Sequence, residues 1–375
     1  MEVNDSQYSL SSFNRTVQAD YEVLFFVLTH ARSFRIGGLC VAILGFIGNT
    51  LAIIVLQRKR MWCSTAYFLI LLALYDNIIL IVAIWQCVSE LQSNSDTSLV
   101  IHKVTYVLFI PVSYIAQTGT IFMTLVVTIE RYVAVTKPFK ARIIFSLSSA
   151  KKISLGIFLW CLLYNIPHYV ALDLSYTTVT NNAHLSEFGK QYVYKKVYSV
   201  YIQLLAMYVL PWLAMTVFNI LLLRCVKKIT MIRHNCHSKS AADDGRRLTL
   251  PVIAVTTVFF LAYPFPAFED TFCKLFDPSE VGLNDTCGVK MKILFELISD
   301  IAKVLNSAAN FIFYCLLGRK FRRTFLHLAS SWRRRMSTVV VKSSMAFDNQ
   351  GTLSKAAASV YLDRELSLRH DIDDV

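Results

Sequence analysis

The chain has 375 residues, 55% of them hydrophobic and 17% charged, with a net charge of +13 and a mean hydropathy of +0.48. A soluble domain is about a quarter charged, so this composition speaks against one. The basic excess is no nucleic-acid signature either, because no basic stripe with interleaved aromatics falls on a polar element.

The apolar residues are gathered into long runs. A helix needs roughly 20 mostly apolar residues to cross the ~30 Å hydrocarbon core of a bilayer. The N-terminal tail, 1–33, is polar at its start and carries no cleavable signal pattern, so the first span is expected to direct insertion. Residues 36–57 carry no charge, and 63–89 carry only Asp76. Residues 104–129, 153–172, 197–223 and 248–268 are free of Asp, Glu, Lys and Arg. The seventh run, 293–317, is weaker, holding Glu296, Asp300 and Lys303 with no charge after them. These runs predict an all-α membrane protein, a bundle of seven transmembrane helices over 34–317. The short alternating segments of a membrane barrel are absent.

Gly318 opens a last element. Phe321, Phe325 and Leu328 recur at i, i+4 and i+7 with basic residues between them. That pattern predicts a short amphipathic helix on the membrane surface over 318–332, with membrane lipid as its partner. Trp332 and Arg333, Arg334 and Arg335 add interfacial attachment. Residues 333–375 are rich in Ser, Thr and charge and read as a disordered cytoplasmic tail. Within it, Ser337 and Thr338 follow three arginines, the pattern of a basophilic kinase substrate. The terminal Asp373-Asp374-Val375 has the form of a ligand for a PDZ protein, which binds by strand addition.

Orientation follows from Lys and Arg near the span ends. With the N-terminus outside, the cytoplasmic segments hold nineteen and the outer segments ten. The glycosylation sequons at Asn4, Asn14 and Asn284 then all fall outside. Of the nine cysteines, only Cys273 and Cys287 share an outer loop, where closing a small loop is plausible; Cys87 competes for either partner. The expected location is the plasma membrane.

Polar groups in hydrocarbon are costly and face the bundle interior. Asn49, Asp76, Thr120, Asn306, Ser307 and Asn310 each lie in the middle or one half of a span. Two readings stay open: a cluster holding water or a sodium ion at Asp76 that rearranges on activation, or ordinary interhelical hydrogen bonding. Glu130-Arg131 sits at a span end, where a charged pair can stay hydrated. It is either a structural pair or a switch in which Arg131 changes partners.

The order of Gly48-Asn49, Leu72-Ala73-Leu74-Tyr75-Asp76, Glu130-Arg131-Tyr132, Trp160, Pro211 and Asn310-Phe311-Ile312-Phe313-Tyr314 resembles that of the rhodopsin-like G-protein-coupled receptors over all seven spans. Within that class the chain is similar to the invertebrate FMRFamide and myosuppressin receptors in Ala116-Gln117-Thr118, Lys140-Ala141-Arg142, Tyr164-Asn165-Ile166-Pro167 and Asn306-Ser307. Three departures stand out. Tyr106 occupies the place of the usual third-span cysteine. Phe311 replaces the seventh-span proline. The sixth span has Tyr263-Pro264-Phe265-Pro266 where a tryptophan is usual, with Phe260 the best substitute trigger.

The resemblance implies an extracellular amidated peptide ending in Arg-Phe, a heterotrimeric G protein, and arrestin at the Ser- and Thr-rich tail. It implies an activation switch of Glu130, Arg131, Tyr132, Asn219, Phe260, Asn310 and Tyr314. A ligand arginine prefers a carboxylate, and Asp300 lies about 15 Å along its helix from Asn310, with Glu296 one turn beyond and Glu269 at the end of the sixth span. Tyr114 and Trp85 are candidate rings for the Phe-amide, and Gln117 a candidate amide partner. Lys303, three residues after Asp300, either neutralises it, leaving Glu269 or Glu296 as the arginine site, or faces the ligand itself. Small-molecule chemosensory receptors share parts of this pattern and are the alternative. No enzyme motif such as His-Glu-x-x-His or Gly-x-Ser-x-Gly occurs, and no cofactor is expected.

Overall fold

The computed structural model describes residue 25 and residues 32–91, 108–171, 186–236 and 286–347. The sixth span, 248–268, and with it Phe260, lies outside the described residues, as do Asn4, Asn14, Asn284, Glu269 and Cys273.

The described chain is helical. Helix α1 covers Arg32–Leu56, α2 Ser64–Leu91, α3 Ile110–Thr136, the short α4 Pro138–Ile144 and α5 Leu147–Val170. A single turn, α6, follows at Glu187–Lys190. Helix α7 is π-helical over Val193–Ile202 and Leu204–Val209, then α-helical over Leu210–Cys236. Helix α8 covers Thr286–Leu317 and α9 Arg319–Phe347. Among the described residues, five helices are long and apolar enough to cross a membrane, and Leu297–Leu316 reaches that standard together with the helix after it.

Local chemistry explains the ends. Pro111 opens α3 and Pro138 opens α4, positions where the missing N–H costs nothing. The Ser146 hydroxyl caps α5 by accepting from Ser149 N at 3.3 Å. Gly318 separates α8 from α9: its N–H donates to the Tyr314 carbonyl at 3.0 Å, and a Cβ there would lie 2.6 Å from that same oxygen. Helix α9 extends beyond the short element predicted for 318–332, through the first part of the tail predicted as disordered. No proline follows Gly318 and the next glycine is Gly351, so no helix-stopping residue occurs before Phe347.

Helices α1, α2, α3, α5, α7 and α8 pack into one bundle. Helix α2 touches α1, α3 and α8; α3 also touches α5 and α7; α8 closes on α1. Two glycines let helices approach: Gly45 stands against Ala308 of α8, and Gly119 against the Tyr75 ring of α2. One core cluster joins α2, α3 and α5 through Phe68, Leu72, Met123, Val127 and Ala150. A second joins α3, α5 and α7 through Ile121, Tyr164, Met207, Tyr208 and Met215. The faces turned away from the bundle stay apolar, with Leu155, Leu159 and Leu163 of α5 exposed, as expected of helices whose solvent is lipid.

Candidate functional site

Helix α3 is the axis on which the polar groups are strung. Most of its threonines are satisfied locally. Thr118, Thr124, Thr128 and Thr136 donate to the carbonyl four residues back at 2.7–2.8 Å. Thr120 does otherwise. Its hydroxyl leaves its own helix and donates to Asp76 Oδ1 of α2 at 3.0 Å. The other carboxylate oxygen accepts from Asn310 Nδ2 of α8 at 2.5 Å. Asn49 of α1 donates to the Ser307 carbonyl at 2.9 Å, and the Ser307 side chain also approaches Asp76. Asp76 and Asn49 are fully buried. One carboxylate thus joins three helices, with a fourth held one contact away. Asn306 is half-buried and stands apart from this network.

At one end of α3, Arg131 and Glu130 form an ion pair. Arg131 Nε lies 2.9 Å from Glu130 Oε2, and its Nη2 lies 3.4 Å from Oε1. Thr65 of α2 donates to the same Oε1 at 2.7 Å. The pair is buried, with 4% of Glu130 and 8% of Arg131 exposed. This differs from the expected hydrated pair, because the first turn of α2 covers it. Tyr132 packs on Phe218 of α7 at 5.5 Å between ring centroids, and Asn219 beside it is half-buried. Tyr314 is buried against Phe321, and among the described residues its hydroxyl has no hydrogen-bond partner. Phe311, in the proline's place, lies 3.0 Å from the Cβ that Gly48 lacks and packs on Phe321. Directly after Lys137, α4 presents Phe139 and Ile143, 81% and 76% exposed.

Toward the other end of α3 lies an aromatic cluster. Tyr114 stacks on His168 of α5 at 4.7 Å. His168 Nδ1 is 3.1 Å from the Tyr194 hydroxyl, and the Tyr198 hydroxyl donates to the Tyr164 carbonyl. Asn165 Nδ2 donates to Thr118 Oγ1 at 3.0 Å. Tyr114, Gln117, Asn165, His168 and Gln203 share the lining of a cavity with about 10 Å³ of free space, about one water in size. The structure therefore brings Tyr114 and Gln117 to one place. It does not bring Trp85 there; that ring stacks on Phe109 at 4.8 Å.

On α8, Lys303 Nζ stands 3.4 Å from Asp300 Oδ1, and the Asp300 side chain is 70% exposed. Glu296 and Cys287 lie on α8, Cys287 in its first turn.

His168, Tyr194, Gln203 and Thr65 went unnoticed in the sequence. The first three lie within or beside uncharged runs, where a lone polar residue looks like any other. Thr65 lies at a span end and bears no motif.

A family model described as 7 transmembrane receptor (rhodopsin family) matches residues 48–314. The chain is 27% identical to an FMRFamide receptor of Drosophila melanogaster, over 84% of its own length and 57% of that protein's. It is 25% identical to neuromedin-U receptor 1 of Mus musculus, over 77% and 71% of the two lengths. It is also 25% identical to a probable G-protein coupled receptor, frpr-1, of Caenorhabditis elegans, over 75% and 74%. The chain thus spans little more than half the length of the Drosophila receptor.

Proposed function

The chain belongs to the rhodopsin family of 7 transmembrane receptors, and from that premise we propose that it binds a short amidated peptide of the FMRFamide type and activates a heterotrimeric G protein. It is a multi-pass membrane receptor and not an enzyme. The observation that carries the reading of its mechanism is the arrangement along α3. Tyr114, Thr120 and Arg131 lie on one rigid helix, and Tyr114 and Arg131 are about 26 Å apart at 1.5 Å per residue. A ligand that moves α3 at its aromatic end strains the Thr120–Asp76 contact and the Arg131–Glu130 pair together. Ligand binding then shifts an existing equilibrium between two packings.

The N-terminus lies outside the plasma membrane and the C-terminus inside. Asn4, Asn14 and Asn284 are then on the glycosylated side, and Cys287, in the first turn of α8, is on the oxidising side together with Cys273 and Cys87. The exposed Phe139 and Ile143 lie on α4, directly after α3, on the cytoplasmic side and suit an apolar hollow on the G protein.

The closed ion pair describes the resting state. In Glu130→Gln the carboxylate that holds Arg131 is lost, and in Thr65→Val its outside support is lost. Both variants are expected to raise agonist-independent signalling in transfected cells, Glu130→Gln the more strongly. Basal signalling unchanged in both, at equal surface expression, contradicts a latch at this position.

The Lys303–Asp300 pair supports Asp300 as a structural partner and shifts the ligand's arginine to Glu296 or Glu269. A panel of amidated Arg-Phe peptides on cells expressing the receptor, read by calcium and cyclic AMP, tests the ligand class. Loss of a hydrogen bond to a charged group costs about 1.5–3 kcal/mol, so Glu296→Gln or Glu269→Gln should raise the half-maximal concentration about ten- to a hundredfold. Asp300→Asn should do less. A larger loss in Asp300→Asn reverses the assignment. Silence across the panel from a receptor present at the surface favours the small-molecule alternative.

A further inference from the structure

One buried histidine ties the aromatic cluster together. His168, 7% exposed, lies in the last turn of α5. Its ring stacks on Tyr114 of α3 with 4.7 Å between centroids and 13° between planes. It meets Tyr198 of α7 edge to face at 5.2 Å, and its Nδ1 reaches the Tyr194 hydroxyl at 3.1 Å. Among the described residues, no charged side chain lines the adjoining cavity. The titratable groups around the imidazole are all tyrosines: Tyr114 from α3, Tyr164 from α5 itself, and Tyr194, Tyr198 and Tyr208 from α7. The formal charges closest in sequence are Lys195 and Lys196, which follow Tyr194, the first exposed and the second half-buried. The exposed Glu187–Lys190 pair of α6 precedes it.

Imidazole is the side chain whose charge changes between pH 5 and 8, and both of its forms find partners here. Burial suits the neutral ring. The carbonyl end of α5 and the face of Tyr114 suit the cation. The neutral ring can accept from Tyr194 or donate to it, whereas the imidazolium only donates through Nδ1–H. Gaining a proton therefore fixes the direction of the Tyr194 bond, strengthens the stack on Tyr114, and puts a positive charge at the cavity that Gln117 also lines.

We propose that His168 is the positioning residue of this cavity, setting Tyr114 and Tyr194 for the ligand, and that its proton makes ligand binding depend on the pH outside. The proposal rests on the reading of this end of the bundle as the outer, peptide-binding end. A positive charge at the cavity repels the arginine of an amidated Arg-Phe ligand, so acidification weakens binding. A unit charge roughly 12 Å away, at an effective dielectric of ~20, changes affinity about tenfold.

The test uses the full-length receptor in nanodiscs, isotopically labelled in its histidine and tyrosine rings and observed by magnetic resonance. The His168 signal is the one lost in His168→Phe. The Tyr114 and Tyr194 signals are those lost in Tyr114→Phe and Tyr194→Phe. Between about pH 7.5 and 5.5, the His168 signal should move to the imidazolium position, and both tyrosine signals should move with the same midpoint. In His168→Phe, which keeps a ring on Tyr114 and has no proton to gain, the tyrosine signals should stay still. His168→Asn, which keeps a polar atom for Tyr194 and does not titrate, replaces it if the phenylalanine variant fails to fold. A His168 signal that does not move overturns the proposal, as do tyrosine signals that move equally without the imidazole. Binding of a labelled amidated Arg-Phe peptide to the same discs should weaken about tenfold on acidification in the wild-type chain and stay constant in the variant. Equal pH dependence in the two also overturns the proposal. If no such peptide binds at either pH, the peptide reading fails, and the ring signals alone decide whether His168 positions the two tyrosines.

Discussion

Gly45→Val should remove most of the receptor from the cell surface. A Cβ at this position would lie 2.5 Å from Ala308 Cβ and 2.9 Å from Ala308 Cα. The second of these is backbone, so no rotamer change relieves it, and α1 and α8 must move apart. Asn49 is one turn along the same face of α1, and its bond to the Ser307 carbonyl, at 2.9 Å, depends on that closeness. Overpacking costs about 1–3 kcal/mol, and a lost interhelical hydrogen bond adds about 1 kcal/mol. Their sum is a large share of the ~5–15 kcal/mol that holds a typical protein folded. The control is Gly156→Val, because a Cβ at Gly156 meets nothing within 4 Å. Surface labelling of a tagged receptor and thermal unfolding in detergent provide the measurements. Equal behaviour of the two variants would show that the α1–α8 contact is not tight.

Asp76→Ala should lower stability and uncouple ligand binding from signalling. The carboxylate accepts from Thr120 and Asn310, both at least 96% buried. The two donors do not suffer alike. Thr120 can turn its hydroxyl back to the carbonyl of Ala116, as Thr118, Thr124 and Thr128 do four residues back along α3. The Asn310 amide makes the shorter bond to the carboxylate, 2.5 Å against 3.0 Å, and a buried donor left without a partner costs about 1–3 kcal/mol. Most of the loss should therefore vanish in a background that already carries Asn310→Ala. A double-mutant cycle on thermal stability should give a coupling of about 1–2 kcal/mol between Asp76 and Asn310, and a smaller one between Asp76 and Thr120. Strictly additive effects of Asp76→Ala and Asn310→Ala would sink the argument. Agonist affinity should fall less than maximal response, because Asp76 lies between the ligand end of α3 and Arg131 and touches neither.

Much of the site was legible as a set of residue types. Asp76 is the lone charge in an otherwise apolar run, and Glu130-Arg131-Tyr132 closes another; a bilayer makes such residues conspicuous. Their partners were less legible. Asn306 and Asn310 share a face by helical spacing, yet only Asn310 reaches Asp76. Trp85 and Tyr114 were equal candidates, and only Tyr114 joins the cavity. Asp300 was open to two readings, and its contact with Lys303 at 3.4 Å bears on which one holds.

By itself, the sequence determined the spans, the axis of polar residues and the receptor class, because the cost of burying charge and unpaired backbone in hydrocarbon imposes a pattern that length and composition display directly. Only the tertiary structure decided that Thr120, among the threonines of α3, turns to Asp76, that Thr65 braces Glu130, and that His168 gathers Tyr114 and Tyr194. Helical periodicity assigns a residue to a face. It does not set the rotation and offset of one helix against the next, which depend on close approaches such as Gly45 on Ala308, Gly48 on Phe311 and Gly119 on Tyr75.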